Sequence, residues 1–127
     1  METKAKIYDL HAENTEWTNK LNFYKDDIKI MTGRLEEVAA KNSSGEVLAQ
    51  VEHFQNQFIV QRNNIDEAIH AVKMNEELLQ TEIKENPVAV DRRSVEYHEI
   101  EKDMVDSFEK NFNELRSEFN EFVGKWL

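Results

Sequence analysis

The stretch WTNKLNFYKDDIKIMTGRLEEV, residues 17–38, decides the fold. Its apolar residues Trp17, Leu21, Tyr24, Ile28, Met31, Leu35 and Val38 follow one another at alternating spacings of four and three. Leu10 and Ile7 extend the series toward the N-terminus, and Asn14 fills the one slot expected between Leu10 and Trp17. A stripe of this period lies along one face of a helix and needs other helices to cover it. Residues 3–41 therefore read as one long helix. Gly33 sits inside it and costs about 1 kcal/mol relative to Ala unless close packing returns that cost.

Two further segments repeat the pattern. The connection Lys41-Asn42-Ser43-Ser44-Gly45-Glu46 reads as a tight reversal, with Asn42 suited to a helix C-terminus and Ser43 and Glu46 spaced as a capping box. A second helix over 45–85 carries Val47, Val51, Phe54, Phe58, Gln61, Ile65, Ala68, Val72, Asn75 and Leu79, with Leu48, Ile59, Ile69 and Met74 flanking the seam. Asn86-Pro87 stops it, because proline lacks the N–H and restricts the residue before it. Asp91 is the expected N-cap of a third helix over 91–126, with Val90 and Val95 as its hydrophobic staple. Its seam runs His98, Glu101, Val105, Phe108, Phe112, Leu115, Phe119, Phe122 and Trp126. Short connections make sequential helices antiparallel neighbours. The expected fold is all-α, a single domain over 1–127 in which three long helices form an antiparallel up-down-up, coiled-coil-like bundle ~55 Å long at the helical rise of about 1.5 Å per residue.

Composition agrees. Three Gly and one Pro are too few to punctuate a β-rich chain of 127 residues. A 33% share of charged residues beside 39% apolar ones suits helices with one buried stripe. The net charge of −10, with no third of the chain net basic, argues against nucleic acid and anionic membranes as partners, since both need clustered Lys and Arg. Without Cys there is neither disulfide nor thiolate chemistry. The first ten residues hold no apolar run of secretory type, and no stretch approaches the ~20 apolar residues of a membrane span, so a cytoplasmic location is the default.

Folding the chain at its two turns brings the start of helix 1, the end of helix 2 and the start of helix 3 to one end. The polar seam residues Asn14, Asn75, His98 and Glu101 fall there; Gln61 lies nearer the middle. Two readings compete. Buried polar seam residues fix register by penalising slipped pairings. Alternatively, His98 with Glu101, Glu67 with His70, and His11 supply imidazole and carboxylate ligands for iron, manganese or zinc. The register reading is favoured, because diiron bundles use two E-x-x-H steps and four helices, whereas this chain has one such step, its reverse, and three helices.

The other constellations point to packing. Trp17, Trp126 and the series Phe108, Phe112, Phe119 and Phe122 stand at seam positions and read as core, not as a cofactor pocket. Acidic pairs such as Asp26-Asp27, Glu36-Glu37 and Glu76-Glu77 read as solvated face charges. No Ser–His–Asp set and no Gly-rich phosphate loop is present, and the chain has almost no loops on which to mount chemistry. Off the seam, Phe23 and Ile30 on helix 1, and Ile59 and Ile69 on helix 2, either widen the buried stripe or form an exposed strip for a partner. The expectation is a non-enzymatic helical interaction or structural protein without cofactor, bound to a protein partner or to its own copy, with the metal-binding bundle as alternative.

The run Glu16-Trp17 with Leu21 to Asp27, the run Arg34 to Val38, the run Glu52 to Phe58, and Glu85 to Asp91 together resemble an uncharacterised family of short, acidic, all-helical proteins found in Bacteroidetes. The resemblance spans most of the chain and implies a cytosolic helical protein. It brings no assigned activity, so no functional residue is carried over. In outline the three-helix layout is also similar to spectrin-like repeats, a likeness of fold that implies no function.

Overall fold

The computed structural model describes the backbone of residues 2–85 and 91–127, and the side chains of 8–81, 84 and 96–127. Three helices account for nearly all of it: α1 (Glu2–Lys41), α2 (Gly45–Glu85) and α3 (Asp91–Trp126). They pack on one another as an all-α three-helix bundle, α1 with α2 most extensively and α1 with α3 least. Each helix lies within a residue of its expected bounds. The stop at Asn86-Pro87 and the Asp91 cap with its Val90–Val95 staple rest on residues or side chains outside those described.

At the α1–α2 turn the cap differs from expectation. The Ser44 carbonyl accepts the Leu48 N–H at 3.0 Å, which makes Ser44, not Ser43, the residue that opens α2. Glu46 then stands in the first turn, where its charge meets the positive end of the helix dipole. Asn42 does close α1, and through its side chain: its amide donates to the Val38 carbonyl at 2.9 Å and to the Trp126 carbonyl at 3.1 Å, tying the ends of α1 and α3 together.

The seam residues form the core. Leu21, Val38, Ile65, Phe112 and Phe119 are completely or almost completely withdrawn from water. At the end nearest the α1–α2 turn, Phe54 lies 5.4 Å from Phe119 and 5.0 Å from Phe122, and Phe58 lies 5.1 Å from Phe119, ring centre to ring centre. In the middle, Tyr24 packs on Phe108 and Phe112, and the Arg116 guanidinium lies 5.0 Å from the centre of the Phe112 ring. Trp17 is buried and Trp126 half-buried against the core, as seam positions require.

The parallel pair α1 and α3 is also joined by long polar side chains. Glu109 accepts from the Tyr24 hydroxyl and from the Lys20 ammonium, each at 3.0 Å, and Arg116 pairs with Asp27. Asp27, which pattern alone places on a solvated face, is thus half-buried and spoken for. Across α1 and α2 the exposed Lys25–Asp66 pair, at 2.7 Å, contributes little, as exposed ion pairs do.

Gly33 is exposed, and a methyl group added there would meet nothing within 4 Å. Packing therefore returns none of the helix cost. Gly33→Ala is expected to stabilise the protein by about 1 kcal/mol, read as a higher urea midpoint with unchanged slope.

Candidate functional site

The end of the bundle away from the α1–α2 turn is polar inside. Asn14, Asn75, His98 and Glu101 take the seam positions that hold Leu, Val or Phe elsewhere, and all four are buried. The three helices bring them to one height. Trp17 roofs the layer, its ring stacked on His98 at 4.4 Å.

Around this layer stands a ring of half-exposed acceptors. The His98 Nε2–H donates to the Glu13 carboxylate at 2.8 Å, which together with the Trp17 stack fixes the ring against α1. The Asn14 amide donates to Glu76 at 2.7 Å, Gln80 donates to the same carboxylate at 3.0 Å, and His11 pairs with it as well. Burial pushes the Glu76 carboxyl up, but the bonds from Asn14, Gln80 and His11 together hold it below the usual carboxylate range. Glu76 is the node of this network. Pattern alone reads it with Glu77 as a surface charge; its place beside seam residue Asn75, level with Asn14, is the signal that identifies it.

Glu101 is the opposite case. Burial pushes its carboxyl up to about 7, although a polar contact from Asn75 pulls the other way. One of its oxygens, Oε2, is buried without a hydrogen-bond partner, as are Asn14 Oδ1 and His98 Nδ1 in the same layer. Near neutral pH this carboxyl is partly protonated inside the bundle. That is the range in which acids and bases serve catalysis. Here 9% of the residue reaches the surface. With one carboxyl pushed up and another held down, the layer makes the stability of this end depend on pH.

The residues proposed as metal ligands are only partly brought together. His98 and Glu101 share the buried layer, His11 is exposed and engaged by Glu76, and Glu67 and His70 stand exposed on α2. Glu67 faces the α2/α3 groove beside Asn64 and Met104. Among the described residues, no group of three or more His, Asp or Glu is placed to hold a metal ion.

The proposed partner residues separate into two surfaces. Phe23, Ile30 and Ile59 are exposed, whereas Ile69 is half-buried against the core. Ile59 and Ile69 both line the α1/α2 side, Ile59 beside Ile28 and Phe58, Ile69 beside Val72 and Asn14. Phe23 and Ile30 instead follow Lys20 and Asp27, the residues that reach toward α3, by three positions each, so they stand on a different face of α1. Among the described residues, no helix is long and apolar enough to cross a membrane. No protein-family model, no curated protein and no solved structure matches this chain.

Proposed function

We propose that this chain is a non-enzymatic, cytoplasmic helical interaction protein that binds a protein partner, or a second copy of itself, through an outer helix face. The observation that carries the reading is the exposure of large apolar side chains on outer faces that are otherwise charged. Phe23, Ile30 and Ile59 on α1 and α2, and Ile100 on α3, are each more than half exposed. Single exposed apolar residues are ordinary, but groups of them on a surface this polar mark places where a partner removes them from water. The buried layer fits the same role, because a polar seam fixes helix register and so holds the outer faces in one arrangement.

The test pairs solution mass with partner recovery. Sedimentation over a hundredfold range of concentration is expected to reveal self-association, or capture from native lysate a partner retained by the wild type and lost when exposed apolar residues are changed to Asp. A strict monomer that recovers nothing the Asp variants fail to recover would count decisively against the proposal.

A further inference from the structure

The α2/α3 groove changes character along its length. Toward the middle of the bundle it is lined by Asn64, Glu67 and Asn111 with Met104. Moving toward the polar end, each groove position recurs seven residues on. Asn64 is succeeded by Ala71 and Leu78, and Glu67 by Met74; on α3, Met104 is preceded by Tyr97, with Ile100 one turn from both. The register of the two helices, set by Asn75 beside Glu101 and by Phe54 against Phe119 and Phe122, brings Leu78 level with Tyr97, Met74 with Ile100, and Ala71 with Met104.

The result is a continuous apolar strip on the outside. Met74 is 54% exposed, Tyr97 46%, Ile100 65% and Leu78 38%. It lies at the height where the inside holds Asn75, His98 and Glu101. This end of the bundle therefore buries polar side chains among Leu10, Trp17 and Leu79 and exposes apolar ones. Among the described residues, the charges nearest the strip are the exposed carboxylates Glu67 on α2 and Glu96 and Asp103 on α3. Two copies meeting strip to strip would bring these carboxylates together, which costs affinity, whereas a cationic partner face would be drawn to them.

We propose that the strip of Met74, Leu78, Tyr97, Ile100 and Met104 is the docking site for an amphipathic helix of a partner protein, with apolar residues at i, i+3 or i+4, and i+7 and Lys or Arg along its flanks. The inference rests on the interaction reading above and assigns its site and partner chemistry. The strip runs about two helical turns, enough for three such anchors at the helical rise of about 1.5 Å per residue. The docked helix completes a four-helix arrangement at the end where this strip leaves apolar side chains in water.

The test uses the full chain and a fluorescent 18-residue helical peptide with Leu at the i, i+4, i+7 and i+11 positions and Lys on the remaining faces, followed by anisotropy. The wild type is expected to bind it, and Met74→Asp and Ile100→Asp to weaken binding at least tenfold. Both positions are exposed, so circular dichroism should report an unchanged helix content. Glu67→Lys with Asp103→Lys should weaken binding comparably, whereas Leu48→Asp, exposed at the opposite end of the bundle, should leave it within twofold. Equal binding of a scrambled peptide of the same composition, or indifference to Met74→Asp and Ile100→Asp, would overturn the proposal. So would a wild-type dimer abolished by Ile100→Asp, which would make the occupant a second copy. If instead Phe23→Asp with Ile30→Asp abolishes association and the strip variants do not, the interaction reading stands and this site falls.

Discussion

Phe119→Ala is expected to lower the unfolding free energy by about 3–5 kcal/mol, measured by urea denaturation. The ring is completely buried and lies within 5.1–5.4 Å of Phe54 and Phe58, ring centre to ring centre. Removing it takes away the transfer free energy of six ring carbons. It also leaves a hole that Phe54 and Phe58, packed on each other with Phe54 held by Phe122 as well, cannot collapse into. The loss is large against the 5–15 kcal/mol typical of a whole domain. A loss under about 1 kcal/mol would mean that α3 does not pack on α2 as described.

Glu101→Gln should act in the opposite sense, and only at one end of the pH scale. In the folded chain the carboxyl keeps its proton up to about 7, whereas in the unfolded chain it gives it up near the usual 4.5. Between those values the native state binds more protons than the unfolded state, so stability falls as pH rises through the window. At about 1.4 kcal/mol per pH unit, this one group withdraws about 3 kcal/mol by pH 8. Glu101→Gln keeps the shape and discards the charge. It is expected to raise the melting temperature by roughly 10 °C at pH 8 and by little at pH 5. Glu76 works the other way: its carboxyl is held low, so its contribution is present at neutral pH and is lost as pH falls below the usual carboxylate range. Taking the difference between wild type and Glu101→Gln at each pH cancels that contribution. A variant equally stabilised at pH 5 and pH 8 would show that the effect is packing and not charge.

The three helices were legible because their seams are unbroken. Leu21, Ile28 and Leu35, or Phe112 and Phe119, recur at a period that only a helix covered along its length can use, and the breaks at Asn42–Gly45 and Asn86-Pro87 stand where the period fails. The polar layer was legible for the same reason. Once the turns are placed, Asn14, Asn75, His98 and Glu101 must share one height. The partners of that layer were not. A charged residue next to a seam has the same pattern whether it points to water or across to a neighbour, so Glu13 and Glu76 at this layer, like Asp27 and Glu109 farther along the bundle, became visible only when the distance between helices was known. The strip is a stronger instance. Leu78, Tyr97 and Ile100 belong to no shared period, and only the register of α2 against α3 lines them up. Phe23, Ile30, Ile59 and Ile69, grouped on hydrophobicity, belong to two faces because the angular position of each helix is not a property of its own sequence.

The interaction surface we propose lies at the end of the bundle that buries Asn14, Asn75, His98 and Glu101 and exposes Met74 and Ile100. Hydrogen–deuterium exchange of the full chain, with and without the Lys-faced amphipathic peptide, tests it most directly. Segments 68–81 and 96–107 are expected to slow markedly when the peptide is present, while 17–38 and 108–122 stay as they were. Protection confined to 17–38, or no change anywhere at saturating peptide, would contradict it.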